Sequence, residues 1–510
     1  MNPSTEAQAE RLFTQGLDWH RQGLLEQALA AYEQALRLQP GYFDALHHIG
    51  ILAWQAGDHA TAEQFLRAAG EIDAGVPALH SNLGNVLKAS GRLEAALDSY
   101  ARALELDQAN VDAYYNCGNT LQALRRFDAA LACYDRALAL QADDAQVWNN
   151  RAAVLQEMHR HDEALHSYGM ALQHQPGNAE AHWNRGLLHL QQGRYAEGWP
   201  GYEWRWQVAH LSVSRQRRPF SQPLWLGRED LAGKTILLHA EQGLGDTLQF
   251  CRYADMVAAH GARVILEVPP ALLELMRTLA GPAEVLARGA ALPPFDVHCP
   301  LMSLPLAFGT TLATVPAPAS YLRADAAKAA AWDALLGPRD RLRVGVAWRG
   351  SQAHKDDDRR SIDFAVFAGA LSPACEFVSL QDRHRPEDAA PLAASPVRDY
   401  GSRLADFSDT AALCAAVDLV ITVDTSIAHL AGALGKPVWI LLAANADWRW
   451  LLGRDDSPWY PSARLIRQRS GETWATVMAR VRAGLDAMTS PAKPGTGTES
   501  LLLSSDESGR

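Results

Sequence analysis

The sequence predicts an α-helical solenoid followed by an α/β body of two lobes, and three observations predict it. The first 210 residues repeat with a period of 34. From Lys234 onward, short apolar runs of strand type alternate with helix-type segments, the mark of a parallel sheet covered by helices. That alternation restarts on a fresh apolar strand at Leu342-Arg-Val-Gly-Val-Ala-Trp348, so one lobe ends and a second begins.

A chain of 510 residues exceeds what one core organises, so two to four domains are expected. Apolar residues make up 48% of it, enough for packed interiors. The net charge of −11, without a long basic block, argues against a nucleic-acid or acidic-membrane partner. Cys117, Cys133, Cys251, Cys299, Cys375 and Cys414 are scattered and never form C-x-x-C. That pattern fits reduced thiols rather than a disulfide frame or a zinc site. The polar, acidic N-terminus is unlike a signal peptide. No apolar run approaches the roughly 18 residues of a membrane span. A soluble, cytoplasmic protein is expected.

The repeats come first. Small residues recur at Gly16, Gly50, Gly84, Gly118, Ala152 and Gly186, and again at Ala28, Ala62, Ala96, Ala130, Ala164 and Gly198. Large residues recur at Tyr32, Leu66, Tyr100, Tyr134, Tyr168 and Tyr202. Ala28, Tyr32 and Ala35 follow i, i+4, i+7, one face of a helix. The small residues let two antiparallel helices touch, and the aromatic is expected between neighbouring hairpins. Pro40 and Pro176 close repeats where helix must stop. Six such 34-residue helix hairpins resemble the tetratricopeptide repeat. A second ladder runs through Asn82, Asn116, Asn150 and Asn184, two residues before the small position, where the first two repeats have Thr14 and His48. Amides donate and accept at once, so such a ladder can grip a peptide backbone irrespective of its sequence. Polar decoration of an exposed face is the plainer reading. The ladder resembles the asparagine-lined groove of tetratricopeptide protein O-GlcNAc transferases.

The repeats extend over 1–208 and dissolve into Gly198-Trp-Pro-Gly-Tyr-Glu-Trp-Arg-Trp206, a cap against the next domain. An ordered connector is expected over 209–233, a first lobe over 234–340 and a second over 341–490. The Gly/Ser/Thr-rich residues 491–510 read as a disordered tail. In the first lobe the expected elements are strand 234–240, helix 246–260, strand 262–268, weaker strands near Val285 and 296–299, and an alanine-rich helix 324–337. In the second they are strands 342–348, 376–380, 419–422 and 438–442, with helices 362–371, 408–416 and 426–434. A last helix near 472–488 is expected to cross back onto the first lobe.

Two junctions carry chemistry. After the first strand comes Glu241-Gln-Gly243-Leu-Gly245-Asp246. The glycines allow a tight turn whose amides suit an anion or a substrate group. After a later strand comes Asp424-Thr425-Ser426-Ile-Ala-His429. Hydroxyls and amides at a helix start, at the carboxyl end of a strand, suit a diphosphate. Each of these residues could also serve simply as a helix cap.

A Gly-x-Gly-Asp turn followed by an Asp-Thr-Ser-x-x-His helix start resembles the heptosyltransferase-type glycosyltransferases of family 9, with the GT-B fold of two Rossmann-like lobes. The resemblance covers roughly 234–470. It implies an acceptor-side first lobe with Asp246 as general base, and a nucleotide-sugar-side second lobe with Asp424, Thr425 and Ser426 on the donor diphosphate. It further implies donor contacts from Gly243, Gly245 and His429, and from a cation of the loop 348–361 after the first strand of lobe two, of which Arg349 and Lys355 are favoured and Arg359 and Arg360 stay open. Gln381 sits where a nucleotide-facing residue is expected. The implied reaction is inverting glycosyl transfer without a metal or other cofactor, from a donor of UDP-GlcNAc or ADP-heptose type. The repeats suggest a protein or peptide acceptor. Two alternatives stand beside it. One is a non-catalytic tetratricopeptide adaptor. The other is a NAD-dependent oxidoreductase using Gly243-Leu-Gly245 and, as ribose-binding acid, Glu267, although Leu248 replaces the third glycine. The clusters Trp448-Arg449-Trp450 and Trp459-Tyr460 could stack on a base or sugar, and read first as packing of the second lobe's C-terminal edge.

Overall fold

The computed structural model describes residues 3–352 and 357–490. It divides into two compact units, Met1–Leu188 and His189–Arg510. The expected tail, 491–510, lies outside the described residues.

The first unit is a stack of helix hairpins, beginning with Pro3–Arg21 and Leu25–Leu38 and reaching Ala145–Glu157 and His161–His174, with the start of the helix Ala179–Gln191 beyond. Its core is the periodic set read from the sequence: Ala28, Ala62, Ala96, Ala130 and Ala164 are fully buried, as are Tyr32, Tyr100 and Tyr134. The large residue faces the next hairpin, as expected, the Tyr32 ring lying 5.7 Å from that of His48, and it also lies on the glycine of its own hairpin. A Cβ placed on Gly16, Gly84 or Gly118 would stand 2.5 Å from a ring carbon of Tyr32, Tyr100 or Tyr134. The glycines are there because the tyrosine rings use that space. A second periodicity marks the hairpin turns, where one residue adopts a left-handed conformation. Gly23, Gly57 and Gly91 do so freely, whereas Arg125 and His159 do so at φ of 59° and 58°, where a side chain is strained.

The second unit holds two parallel sheets. The first is ordered β3-β2-β1-β4, from β1 (Thr235–His239), β2 (Arg263–Val268), β3 (Pro282–Ala287) and β4 (Val297–Pro300). The second is ordered β10-β9-β8-β5-β6-β7, from β5 (Leu342–Ala347), β6 (Cys375–Ser379), β7 (Val397–Arg398), β8 (Leu419–Val423), β9 (Val438–Leu442) and β10 (Ala463–Arg467). The central strands are buried on both faces, which is why they read as continuous apolar runs. Each order reverses direction once, between β1 and β4 and between β5 and β8. Crevices outside the carboxyl ends of strands at such reversals are where open α/β sheets bind ligands.

Several expectations are corrected. The helix expected over 246–260 is two short ones, Leu244–Phe250 and Tyr253–Ala259. The last helix, Trp474–Thr489, packs on the second lobe, its Val477, Met478, Val481 and Leu485 joining the core of Val344, Phe377 and Trp439. Strands β7 and β10 and the helix Pro386–Ala393 were not expected. The division between the two compact units falls at His189, within the 1–208 expected of the repeats. The helix Tyr195–Tyr202 therefore belongs with the sheets, anchored by Trp199 Nε1 donating to the Thr310 carbonyl (2.8 Å) and Trp459 Nε1 donating to the Tyr195 hydroxyl (3.0 Å).

Glycine positions of the two kinds should respond oppositely. In an open helix, Gly→Ala stabilises by roughly 1 kcal/mol. Gly84→Ala should instead destabilise by about 1–3 kcal/mol, because the buried Tyr100 ring cannot yield the space. Arg125→Gly should stabilise by about 1 kcal/mol by relieving the left-handed strain. Thermal unfolding of the two variants checks both signs.

Candidate functional site

Both reversal crevices lead to one place. Beyond β1, Ala240 to Gln242 run into Gly243, whose N–H donates to Asp246 Oδ2 at 2.8 Å. Asp246 thus closes the helix start from its third position, reaching back to the residue before the helix. Its other oxygen accepts from Arg449 Nη2. The carboxylate is 22% exposed, enough to meet a substrate. Beyond β8, Asp424 and Thr425 precede the helix Ser426–Ala433. Thr425 caps it, its hydroxyl accepting from the Ile427 N–H at 3.3 Å. Asp424, Thr425 and Ser426 are all half-exposed.

The two helix starts touch. A Cβ on Gly245 would lie 2.8 Å from His429 Cδ2 and 3.6 Å from Ser426 Cα. Gly245 is therefore glycine for close approach of the lobes. Arg449, only 9% exposed, stitches the junction. Besides Asp246, it donates from Nε to Gln249 Oε1 (2.9 Å) and from Nη1 to Asp447 Oδ1 (2.8 Å), with its guanidinium 4.4 Å from the Trp448 ring centre. Burial alone would ease its proton off, but Asp447 and Asp246 more than offset that, so it is held charged.

Arg360 spans the crevice of the second sheet, Nη1 donating to the Asp424 carbonyl at 2.8 Å. Gly350 leaves room for it, since a Cβ there would sit 2.5 Å from Arg360 Nη2. Burial, then the charge of Asp447, pushes the Asp424 carboxyl up to about 6 against the opposing pull of Arg360 and Arg449.

Three of the residues expected at the donor have protein partners. Arg349 is buried and ion-paired with Asp388 and with Asp363 (2.7 Å); Asp388 also accepts from Trp348 Nε1 and the Phe364 N–H, so the arginine is a strut. Gln381 does not face a nucleotide: its Oε1 accepts from the backbone N–H of Trp348 (2.7 Å) and Arg349 (3.0 Å). His429 is 5% exposed, hydrogen-bonded through Nδ1 to the Tyr460 hydroxyl (2.8 Å) and stacked on Trp450. Burial and three nearby arginines push its pKa well down, so it is a neutral packing group. Lys355 lies outside the described residues. Glu267, the ribose-binding acid of the oxidoreductase alternative, is 1% exposed and paired with Arg218, so it is not open to a ribose. Arg360 was one of the loop cations that the sequence left open, and Arg449 read as packing; an arginine set between two tryptophans, as at 448–450, is a signal that a buried charge needs a partner.

The asparagine ladder lies on the first helices of successive hairpins, each amide half-exposed. Asn82 Nδ2 meets His47 Nε2 at 2.9 Å, Asn150 Nδ2 donates to Asn119 Oδ1 (2.8 Å) and Tyr115 OH (3.2 Å), and Asn184 Nδ2 donates to Asn149 Oδ1 (3.3 Å). These are rungs between repeats. Among the described residues, Asn116 has no such side-chain partner. Also among the described residues, no three His, Cys, Asp or Glu side chains group to hold a metal ion, and no helix is long and apolar enough to cross a membrane.

Comparisons with known proteins divide along the same line. Tetratricopeptide repeat profiles match residues 13–77, 84–124, 111–144, 133–166 and 152–198. The profile of glycosyltransferase family 9 (heptosyltransferase) matches residues 404–475, which include the Asp424 helix start and Arg449. The chain thus carries tetratricopeptide repeats and a family 9 segment. Protein FlbA of Caulobacter vibrioides is 31% identical over 323 residues, 58% of this chain and 53% of FlbA, so the chain spans about half of that relative. Human tetratricopeptide repeat protein 7B is 28% identical over 99 residues, 19% of this chain and 12% of its own. Among solved structures, MamA protein aligns with a TM-score of 0.31 at 20% identity, covering 34% of this chain and 94% of MamA.

The raised Asp424 carboxyl has a pH consequence. An acid whose folded pKa is raised stabilises the fold below its unfolded value, near 3.8, and loses that contribution as pH climbs through about 6. Asp424→Asn should therefore raise stability by on the order of 2 kcal/mol at pH 8 and leave it unchanged near pH 3.5, read as the melting-temperature difference between variant and wild type across that range.

Proposed function

We propose that this protein is a metal-independent, inverting glycosyltransferase of GT-B type, moving a sugar from a nucleotide-sugar donor to a hydroxyl on a protein or peptide held by the repeats. The observation that carries this reading is the meeting of the Asp246 turn and the Asp424–Ser426 helix start at the reversal crevices of their sheets, with the family 9 profile lying over the second of them.

In this reading the acceptor hydroxyl attacks the anomeric carbon in line. Asp246 takes the hydroxyl proton, the bond from that carbon to the diphosphate breaks, and configuration inverts. The departing diphosphate takes up the bonding electrons and is stabilised by the amides of the Ser426–Ala433 helix, by the Thr425 and Ser426 hydroxyls and by Arg360. Arg360 takes the place expected of Arg349, whose charge is spent on Asp388 and Asp363. Donors of UDP-GlcNAc or ADP-heptose type both suit a site built on a diphosphate. Amides spaced one repeat apart suit an extended backbone, and Asn116 has an amide to spare for it.

A specific observation favours the adaptor alternative: in this structure Asp246 is held by Arg449, and Arg349, Gln381 and His429 are spent on protein partners. The two readings part on binding and turnover. A thermal-shift series with UDP-, ADP-, GDP- and dTDP-sugars should show stabilisation by one donor, lost in Thr425→Ala. Asp246→Asn should keep that shift and lose turnover by at least about 100-fold. Silence from every donor would leave the adaptor; full turnover in Asp246→Asn would remove Asp246 as the base.

A further inference from the structure

The crevice of the first sheet, between the carboxyl ends of β1 and β4, is filled by the chain itself. Arg205, in the 3-10 turn Glu203–Trp206, is fully buried there. Its Nη2 donates to Glu241 Oε1, just past β1, at 3.2 Å and to Ser303 Oγ, just past β4, at 2.7 Å. Its Nη1 donates to Glu203 Oε1 at 2.5 Å and to the Tyr202 carbonyl at 3.3 Å. Glu241 Oε1 accepts in addition from the Met302 N–H at 3.2 Å. The next residue is held from the same side, Gln242 Nε2 donating to the Tyr202 hydroxyl at 3.0 Å. Two consecutive residues of the turn leading to Asp246 are thus fastened to one four-residue segment, Tyr202 to Arg205, that belongs to neither sheet.

We propose that Arg205 and Glu241 are positioning residues for Asp246, holding the turn from Glu241 to Asp246 in register, and that the ionisation of Glu241 sets how firmly that turn is held. The proposal rests on Asp246 being the base. One guanidinium, itself fully buried, is shared between the partly exposed Glu203 and the buried Glu241. The charges facing Glu241 are Arg205 and Glu203 from the 3-10 turn and Asp246 from its own loop; the Met302 N–H, Ser303 and the Cys299 thiol face it from β4 and the turn after it. Burial first, then Asp246 and Glu203, push the Glu241 carboxyl up to about 7, with Arg205 and the Met302 N–H pulling the other way. Below that pH Glu241 is a neutral acceptor for Arg205, whose charge is then balanced by Glu203. Above it Glu241 ionises against Asp246, and closing the turn becomes less favourable.

Hydrogen–deuterium exchange on the full chain at pH 6, 7 and 8, corrected for the intrinsic pH dependence of exchange, tests this. A carboxyl free to titrate near its ordinary value when the turn opens, but near 7 when it is closed, lowers protection of the Glu241–Phe250 peptide by about tenfold from pH 6 to pH 8. Glu241→Gln keeps an acceptor for Arg205 and Met302 but cannot ionise, so its protection should be the same at all three pH values and no lower than the wild type's at pH 6. Asp246→Asn removes one repelling charge and should move the wild-type step to lower pH. A flat wild-type profile, or the same step in Glu241→Gln, would overturn the proposal. Turnover in Asp246→Asn separately judges the base, so a pH step with an unimpaired Asp246→Asn would fault the base assignment and not the fastening of the turn.

Discussion

Arg449 is the constraint on which the second unit is organised. Its guanidinium is nearly enclosed, so each donor must find an acceptor, and a buried cation left unpaired would cost several kcal/mol. The acceptors come from both lobes: Asp246 and Gln249 from the helix after β1, Asp447 from the turn after β9. The charge can be satisfied only when the two helix starts are in place. Gly245 makes that possible by bringing its backbone against His429 and Ser426. The separation between the Asp246 carboxylate and the Thr425 helix start is therefore set by packed helices and one shared arginine, in keeping with the principle that reacting groups are best held by rigid elements.

Much of this was legible because it is local. A 34-residue period, small residues facing tyrosines, and apolar runs followed by Gly-x-Gly-Asp or Asp-Thr-Ser are patterns within one element or across one turn. They identified the solenoid, both sheets and both ends of the candidate site. What was not legible depends on partners distant in sequence. Arg349 looks like a phosphate ligand until Asp388, 39 residues on, is found against it. Gln381 looks like a nucleotide contact until its oxygen is found on two backbone amides 32 and 33 residues earlier. His429 follows Asp424-Thr425-Ser426 at helical spacing, but Tyr460 and Trp450 enclose it. Residue type advertises a charge or a donor; only the fold decides whether that group is already spent.

The end of the solenoid shows the same limit in another form. The repeat pattern continues to Tyr202 without a break in period, so sequence places the boundary after it. Energetically the helix Tyr195–Tyr202 sides with the sheets. Its Tyr195, Trp199 and Tyr202 rings pack among Trp448 and Trp459, and buried aromatics of this size dominate the packing energy of an interface. A repeat signature records ancestry and local helix geometry, whereas membership of a cooperative unit is set by where the apolar surface is buried.

Charge balance around the junction links stability to chemistry. Among the described residues, Glu203, Glu241, Asp246, Asp424 and Asp447 share Arg205, Arg360 and Arg449, so acids outnumber the cations that serve them. Burial first, and then neighbouring carboxylates that the shared cations do not fully offset, make Glu241 and Asp424 hold their protons to about 7 and about 6. A diphosphate brought to the Thr425 helix start would add negative charge to a region already in excess, so its binding should draw a proton onto Asp424 or require Arg360 to turn from the Asp424 carbonyl towards it. Either response ties donor binding to the protonation of a carboxyl beside the site. The excess of acids is a cost to the resting fold, carried by the few arginines that reach more than one carboxylate at once.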